Sequence, residues 1–214
     1  MPDFSVNAQS SIRISGGKVV YFDPFQIVEG EHDADIIFVT HEHFDHFSPE
    51  DILKVAKKET VLVVPESMKK AVGAIKGIQD IVFVAPDTYK RSTYSAAGIS
   101  FSTVRAYNVG KPFHGKESDW VGYIVDINGK AVYVTGDTDA NEDNLKVSCD
   151  ILFVPCGGKY TFDAKEAAVF AASIKPKKAV PTHYGRVVGS DADGKRFVEE
   201  LKKIAPGIDT EILL

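Results

Sequence analysis

Residues 41–46 read His-Glu-His-Phe-Asp-His, directly after the apolar run Ile37-Phe38-Val39-Thr40. A short apolar run of this kind reads as a buried strand. The strand therefore delivers three imidazoles and a carboxylate into one short loop, and the fold has to leave that loop at the end of a sheet. The chain holds six histidines in 214 residues, so three within one hexapeptide is not a chance scatter. Imidazole nitrogen mixed with carboxylate oxygen suits zinc and other borderline divalent metals. A closed structural site would be expected to use thiolates, and this loop has none. In an extended loop His41, His43 and Asp45 occupy alternate positions while His46 points elsewhere, an arrangement that can feed two ions rather than one.

Two ions need further donors, and other strand ends supply candidates. Val132-Tyr133-Val134-Thr135 leads into Gly136-Asp137, an echo of the first strand, and Asp137 can bridge metals through its two oxygens. Val180-Pro181-Thr182 leads into His183, and His114 lies in the loop from Val109 to Asp119. The sixth histidine, His32, precedes Asp33 and Asp35 in a turn and is expected at the surface. Loops gathered at one end of several strands are where α/β folds collect their chemistry. The echo suggests two related halves.

The rest of the chain supports such a fold. Strand-like runs occur at Val19 to Phe22, Ile36 to Val39, Val61 to Val64, Ile81 to Val84 and Ile99 to Val104. They continue at Val121 to Ile127, Ala131 to Thr135, Ile151 to Val154 and Ala179 to Pro181. Asn128-Gly129 between two of them predicts a tight hairpin, because both residues tolerate positive φ. Helical patterns cover Pro49 to Lys58 behind Ser48 as N-cap, Ser67 to Ile75, Asp163 to Ile174 and Asp193 to Ile204. Asp163 followed by Glu166 predicts a capping box. With no linker or low-complexity stretch, residues 1–214 read as one α/β domain.

Composition narrows the function classes. The net charge is -5, whereas nucleic-acid binders usually present a basic face, so nucleic acid is not the expected partner. No apolar run approaches the roughly 18 residues of a membrane span, and Met1 to Ser5 lacks the basic-then-apolar start of a secretory signal. A cytoplasmic protein is the expectation. Cys149 and Cys156 form no C-x-x-C pair and are expected to be reduced, partly buried thiols.

The hexapeptide matches the H-x-H-x-D-H signature of the metallo-β-lactamase fold. Thr135-Gly136-Asp137-Thr138-Asp139 resembles that family's G-D-T segment, and Pro181-Thr182-His183-Tyr184 its final metal histidine. The matching motifs span nearly the whole chain in the right order. The resemblance implies a four-layer αββα sandwich with the site at one edge, between two sheets. Within the superfamily the chain looks most like the branch containing ascorbate-6-phosphate lactonase. The cues are Asp23-Pro24-Phe25, Ala106-Tyr107-Asn108, Val154-Pro155-Cys156-Gly157-Gly158 and Tyr160-Thr161-Phe162-Asp163. By this resemblance His41, His43 and His114 hold one metal, Asp45, His46 and His183 the second, and Asp137 bridges. Di-iron oxygen-reducing relatives carry glutamate where this chain has His43, which favours hydrolysis.

The implied enzyme is a dinuclear metal-dependent hydrolase acting on a small-molecule lactone, ester, amide or phosphoester through a metal-bridging hydroxide. Zn²⁺ is the first expectation, and Mn²⁺ and Fe²⁺ also suit the donors. Asp45 and Asp137 carry the catalytic roles, Asp45 by accepting a hydrogen bond from the nucleophile. Tyr107, Lys159, Tyr160, Tyr184 and Arg186 are the substrate-contact candidates, the two cations as partners for a phosphate or carboxylate. Trp120 and Tyr123 are expected in the core. The competing readings are a phosphodiesterase or nuclease of the same fold and a metal-binding protein without turnover. The sequence leaves the substrate, the metal and a homo-oligomer open.

Overall fold

A computed structural model describes residues 2–73, 75–86 and 94–214. The chain folds into two mixed sheets. The first holds β1 (Asp3–Val6), β2 (Ile12–Ser15), β3 (Val19–Phe22), β4 (Ala34–Phe38), β5 (Ala56–Pro65) and β6 (Asp80–Val84), in that order across the sheet. The second holds β7 (Tyr94–Ala96), β8 (Ile99–Arg105), β9 (Val121–Ile127), β10 (Lys130–Val134), β11 (Ile151–Pro155), β12 (Lys178–Thr182) and β13 (Asp209–Thr210), again in chain order. Each sheet starts antiparallel, β1 to β3 and β7 to β10, and then runs parallel. The two sheets thus share a plan, which is the structural form of the echo between the strands entering His41 and Asp137.

Three apolar layers hold the stack together. Phe22, Phe38, Phe101, Tyr123 and Phe153 meet between the sheets. On the outer face of the first sheet, Ile37 and Leu62 pack against Ile52 and Val55 of α1 (Pro49–Val55) and Val72 of α2 (Lys69–Val72). On the outer face of the second, Leu152 and Val154 pack against Phe170 of α3 (Ala164–Ile174) and Phe197 and Leu201 of α4 (Asp191–Ile204). The layers run helix, sheet, sheet, helix, which is the expected αββα sandwich. Among the described residues no helix is long and apolar enough to cross a membrane.

Local chemistry explains where elements agree with the sequence and where they differ. The hairpin between β9 and β10 turns at Asn128 (φ 54°) and Gly129 (φ 76°), as expected. The α3 capping box forms as expected: Asp163 Oδ1 accepts from the Glu166 N–H at 2.8 Å, and Glu166 Oε2 from the Asp163 N–H at 2.9 Å. α1 stops at Val55, short of the expected Lys58. Thr60 Oγ1 accepts from the Lys57 N–H at 2.8 Å and donates to the Ala34 carbonyl at 2.6 Å, which pulls this stretch into β5. The expected helix from Ser67 to Ile75 reduces to a 3₁₀ turn, Glu66–Met68, and the single turn of α2, which closes at Gly73; residue 74 lies outside the described residues. α4 begins at Asp191, earlier than the expected Asp193, because the Asp193 carboxylate reaches back to the Ser190 N–H at 2.7 Å. Strands β1, β2, β7 and β13 lack the long apolar run that marks the others, being short and largely half-exposed.

Candidate metal centre

The loops following β4, β10 and β12 open at one edge of the sandwich, between the sheets. They meet there because the sheets are stitched together at this end. The Val121 N–H donates to the Thr40 carbonyl at 3.3 Å, and the Tyr123 hydroxyl to the Val39 carbonyl at 2.8 Å. The structure brings the seven candidate donors into two groups, within each of which the ligand atoms lie inside 4.8 Å of one another. One group is His41, His43, His114 and Asp137; the other is Asp45, His46 and His183. Asp137 lies against both, with Oδ2 3.2 Å from His114 Nε2 and 3.3 Å from His183 Nε2, and Oδ1 3.3 Å from His46 Nε2. Asp45 Oδ2 is 3.2 Å from His183 Nε2. All except His43 are buried.

Hydrogen bonds on the outer side of the rings fix which nitrogen faces inward. Asp23 Oδ2 accepts from the Thr40 hydroxyl at 2.8 Å and lies 2.7 Å from His46 Nδ1. The hydroxyl proton of Thr40 is thereby committed to Asp23, so Thr40 Oγ1 accepts from His41 Nδ1–H at 2.9 Å. His114 Nδ1–H donates to the Tyr160 carbonyl at 3.1 Å. In His41, His46 and His114 the outer nitrogen therefore carries a proton and Nε2 is the atom that faces the centre. Asn108 Nδ2 pins the His114 loop by donating to the carbonyls of Phe113 at 3.0 Å and Tyr160 at 2.6 Å.

Backbone conformation serves the same end. His114 (φ 55°) and His183 (φ 57°) both adopt the left-handed region, which costs energy for residues other than glycine and concentrates at functional sites. Gly136 before Asp137 has φ 65°, and a Cβ there would lie 3.1 Å from Thr40 Cβ. No side chain fits at that position without moving the strand end that presents His41.

The donor set fits divalent cations. His46 Nε2, His114 Nε2, both ring nitrogens of His183 and Asp137 Oδ1 are buried without a hydrogen-bond partner. Buried polar atoms without partners cost about 1–3 kcal/mol each, and four of these converge on one point. Electrostatics agree. Burial pushes the Asp137 carboxyl up, but the surrounding imidazoles, His183 before His46, outweigh it and hold the group well below the usual carboxylate range. Burial lowers His46, yet the carboxylates of Asp137 and Asp23 outweigh it and hold the ring well above its ordinary value. Burial, reinforced by neighbouring imidazoles, lowers His41 and His43. The carboxylates favour positive charge at the centre, and burial favours the neutral form of His41 and His43.

A cleft of about 290 Å³ opens onto these donors, lined by His43, Asp45, His114, Asp137 and His183 together with Phe44, Phe113, Tyr160 and Val187. Of the substrate-contact candidates, Tyr160 lines it. Tyr107 is buried, its main-chain carbonyl accepting from the Thr138 and Asn141 side chains and its ring 4.9 Å from Lys116 Nζ, and Tyr184 is buried against α4 at Gly194. Arg186 lines a separate cleft beside the C-terminal residues, and Lys159 lies over the ring of Tyr160 at 4.7 Å. His32 is exposed and Tyr123 is in the core, as expected. Trp120 is buried, but what it packs against is the site: its ring lies 4.7 Å from His41, 4.8 Å from His43 and 5.5 Å from His114. Both cysteines are free thiols, Cys156 buried. Sequence reasoning missed the orienting role of Asp23 and Thr40, although an aspartate right after a strand and a threonine right before the hexapeptide were visible signals. It also missed the apolar wall of Phe44, Phe113 and Val187.

Comparison with known proteins gives a consistent picture. The family model of a beta-lactamase superfamily domain matches residues 7–183. A UPF0173 metal-dependent hydrolase from Natranaerobius thermophilus is 28% identical over 202 residues, covering 88% of this chain and 85% of that protein. Another, from Methanoregula boonei, is 30% identical over 203 residues, covering 86% and 83%. The structure of a metallo hydrolase from Ignicoccus hospitalis superimposes with a TM-score of 0.77 over 99% of this chain and 94% of that one, at 18% identity, a likeness of fold.

Proposed function

The chain belongs to the metallo-β-lactamase superfamily of metal-dependent hydrolases, and from that premise we propose that it is a dinuclear enzyme hydrolysing a small molecule at the edge of the sandwich. One observation carries the reading: two donor groups meet at Asp137, and the inward nitrogens of His46, His114 and His183 and one Asp137 oxygen have no hydrogen-bond partner. His41, His43 and His114 would hold one ion, Asp45, His46 and His183 the other, with Asp137 between them. Zn²⁺ suits this nitrogen-rich set best, with Mn²⁺ and Fe²⁺ as alternatives. When bound, such a pair of cations supplies Lewis acidity and brings the pKa of a coordinated water from about 15.7 towards about 7.

The protein's own groups do the rest. Asp23, Thr40 and the Tyr160 carbonyl orient the histidines, and Trp120 closes the floor beneath His41 and His43. Burial raises the Asp45 carboxyl, but the neighbouring imidazoles of His183, 3.2 Å away, and His46 outweigh it and keep the group below its usual range. Asp45 is therefore ionised at the cleft wall, where its carboxylate would accept a hydrogen bond from the attacking water. A lactone, ester, amide or phosphoester fits this chemistry, and the lactonase-like branch of the superfamily points to the same group of substrates.

The test pairs elemental analysis with turnover. Two equivalents of metal per chain, together with hydrolysis of a lactone, thioester or phosphodiester panel, is the expected result. Tightly bound metal with no turnover of any substrate would instead make this a metal-binding protein. One equivalent at saturation would end the dinuclear assignment.

A further inference from the structure

The wall of the cleft carries information beyond the donors. Phe44 is 66% exposed, and Phe113 and Val187 are each 41% exposed. Leaving large apolar side chains in water forgoes about 1.5–3 kcal/mol apiece, and contiguous ones mark a binding surface. Each is tied to the donors by the chain. Phe44 stands between His43 and Asp45, Phe113 immediately precedes His114, and Val187 is on the loop following His183. Their rings are held, not loose. Phe44 meets Phe25 edge-on at 6.0 Å, and Phe113 meets Tyr160 edge-on at 4.9 Å.

Cations are missing from the same wall. No lysine or arginine among the described residues lines the cleft. Lys111 is committed to Asp139 at 2.6 Å and the Thr161 carbonyl at 2.7 Å. Arg186 is in the separate cleft, and Lys159 lies over the Tyr160 ring without lining the cleft. A phosphate or carboxylate remote from the scissile bond would find no partner here and would lose its hydration against aromatic rings. The cleft volume of about 290 Å³ is at the lower end of small-molecule sites, about 300–1,000 Å³, which suits a small substrate.

We infer that the substrate is a small uncharged ester or lactone whose apolar or aromatic group seats against Phe44, Phe113 and Val187 while its carbonyl meets the donors. This narrows the proposed function and rests on it. Hydrolysis adds one water across the acyl C–O bond. The water oxygen bonds to the carbonyl carbon, and the leaving oxygen takes a proton. The products are a carboxylic acid and an alcohol, joined in one molecule when the substrate is a lactone.

The experiment compares p-nitrophenyl butyrate with p-nitrophenyl hemisuccinate, which shares the leaving group but carries a carboxylate, using the metal-loaded protein. The expected kcat/KM favours the neutral ester by roughly tenfold or more, the scale of lost pocket contacts. Phe44→Ser and Phe113→Ser should remove that preference mainly through KM, with metal content unchanged. Equal rates on both esters, or no effect of either variant, would overturn the inference. A second arm does not need turnover. Saturation-transfer NMR on the metal-free protein should show 4-phenyl-2-butanone bound and 3-phenylpropionate unbound, with the ketone signal lost in the Phe44→Ser, Phe113→Ser double variant. Ketone binding without ester hydrolysis would keep the apolar site and reject the hydrolase reading. Preferential binding of the carboxylate, or ketone binding that survives the double variant, would reject the site itself.

Discussion

Asp23 Oδ2 lies 2.7 Å from His46 Nδ1, and neither side chain has any solvent exposure. The same aspartate accepts from the Thr40 N–H at 2.8 Å and from the Thr40 hydroxyl, whose oxygen in turn receives His41 Nδ1–H. One carboxylate that points away from the cleft therefore orients a histidine in each donor group.

Asp23→Ala should weaken metal binding about 10–100-fold, the usual effect of removing a partner of a liganding imidazole. It also strands a buried Thr40 N–H, at a cost of about 1–3 kcal/mol. Asp23→Asn keeps an acceptor for Thr40 and separates the two effects. Metal titration of both variants, with folding checked by circular dichroism, reads the result. Unchanged affinity in both would remove Asp23 from the orienting role.

Asp137→Ala should remove most bound metal and activity together, because the carboxylate touches His114, His46 and His183 at 3.2–3.3 Å. Elemental analysis of the purified variant is the direct measure. Normal metal content would sink the bridging assignment.

These residues were not equally legible in the sequence. His41, His43, Asp45 and His46 are contiguous, and Asp137 and His183 each follow an apolar strand, so period and position alone pointed to them. His114 has no such strand before it. Its direction depends on a left-handed φ and on Asn108 bonding two carbonyls, neither of which a pattern reveals. The apolar wall of the cleft failed to show for the same reason. His183 at φ 57° turns the chain so that Tyr184 packs towards α4 while Val187 reaches the cleft. Proximity in sequence favoured Tyr184 and Arg186, and the backbone sent them elsewhere. The apolar periods marked all the central strands, whereas the end of α1 turned on one hydroxyl, that of Thr60.

Asn108→Ala tests the least legible donor. Without its bonds to the Phe113 and Tyr160 carbonyls, His114 loses its support in the left-handed conformation. The expected outcome is weaker binding of the first ion alone, so that titration shows one tight and one weakened equivalent. Two equal losses, or none, would place the function of Asn108 elsewhere.

Removing metal should lower stability measurably. A ligand at about 100 times its Kd stabilises by about 2.7 kcal/mol. A chain of this size shifts about 2–4 °C in Tm per kcal/mol. Chelation should therefore lower Tm by roughly 5–11 °C, and Zn²⁺ should restore it. An identical melting curve with and without chelator would contradict a metal centre buried at the sheet edge.

Cys149 supplies an independent check on the thiols. Burial, with Asp150 adding to it, pushes this thiol up to about 12. An ordinary thiol near about 8.5 is substantially ionised at pH 8, whereas this one is about one part in ten thousand thiolate. Iodoacetamide labelling of the native protein should therefore run about a thousandfold slower than that of a free thiol. It should also keep rising about tenfold per pH unit up to pH 10, where a normal thiol has levelled off. Cys156 is buried and its thiol is raised further by burial, so it should label more slowly still. Mass spectrometry of time points at pH 8, 9 and 10 distinguishes the two behaviours, and fast labelling that plateaus near pH 9 would show that their surroundings do not hold these groups in the thiol form.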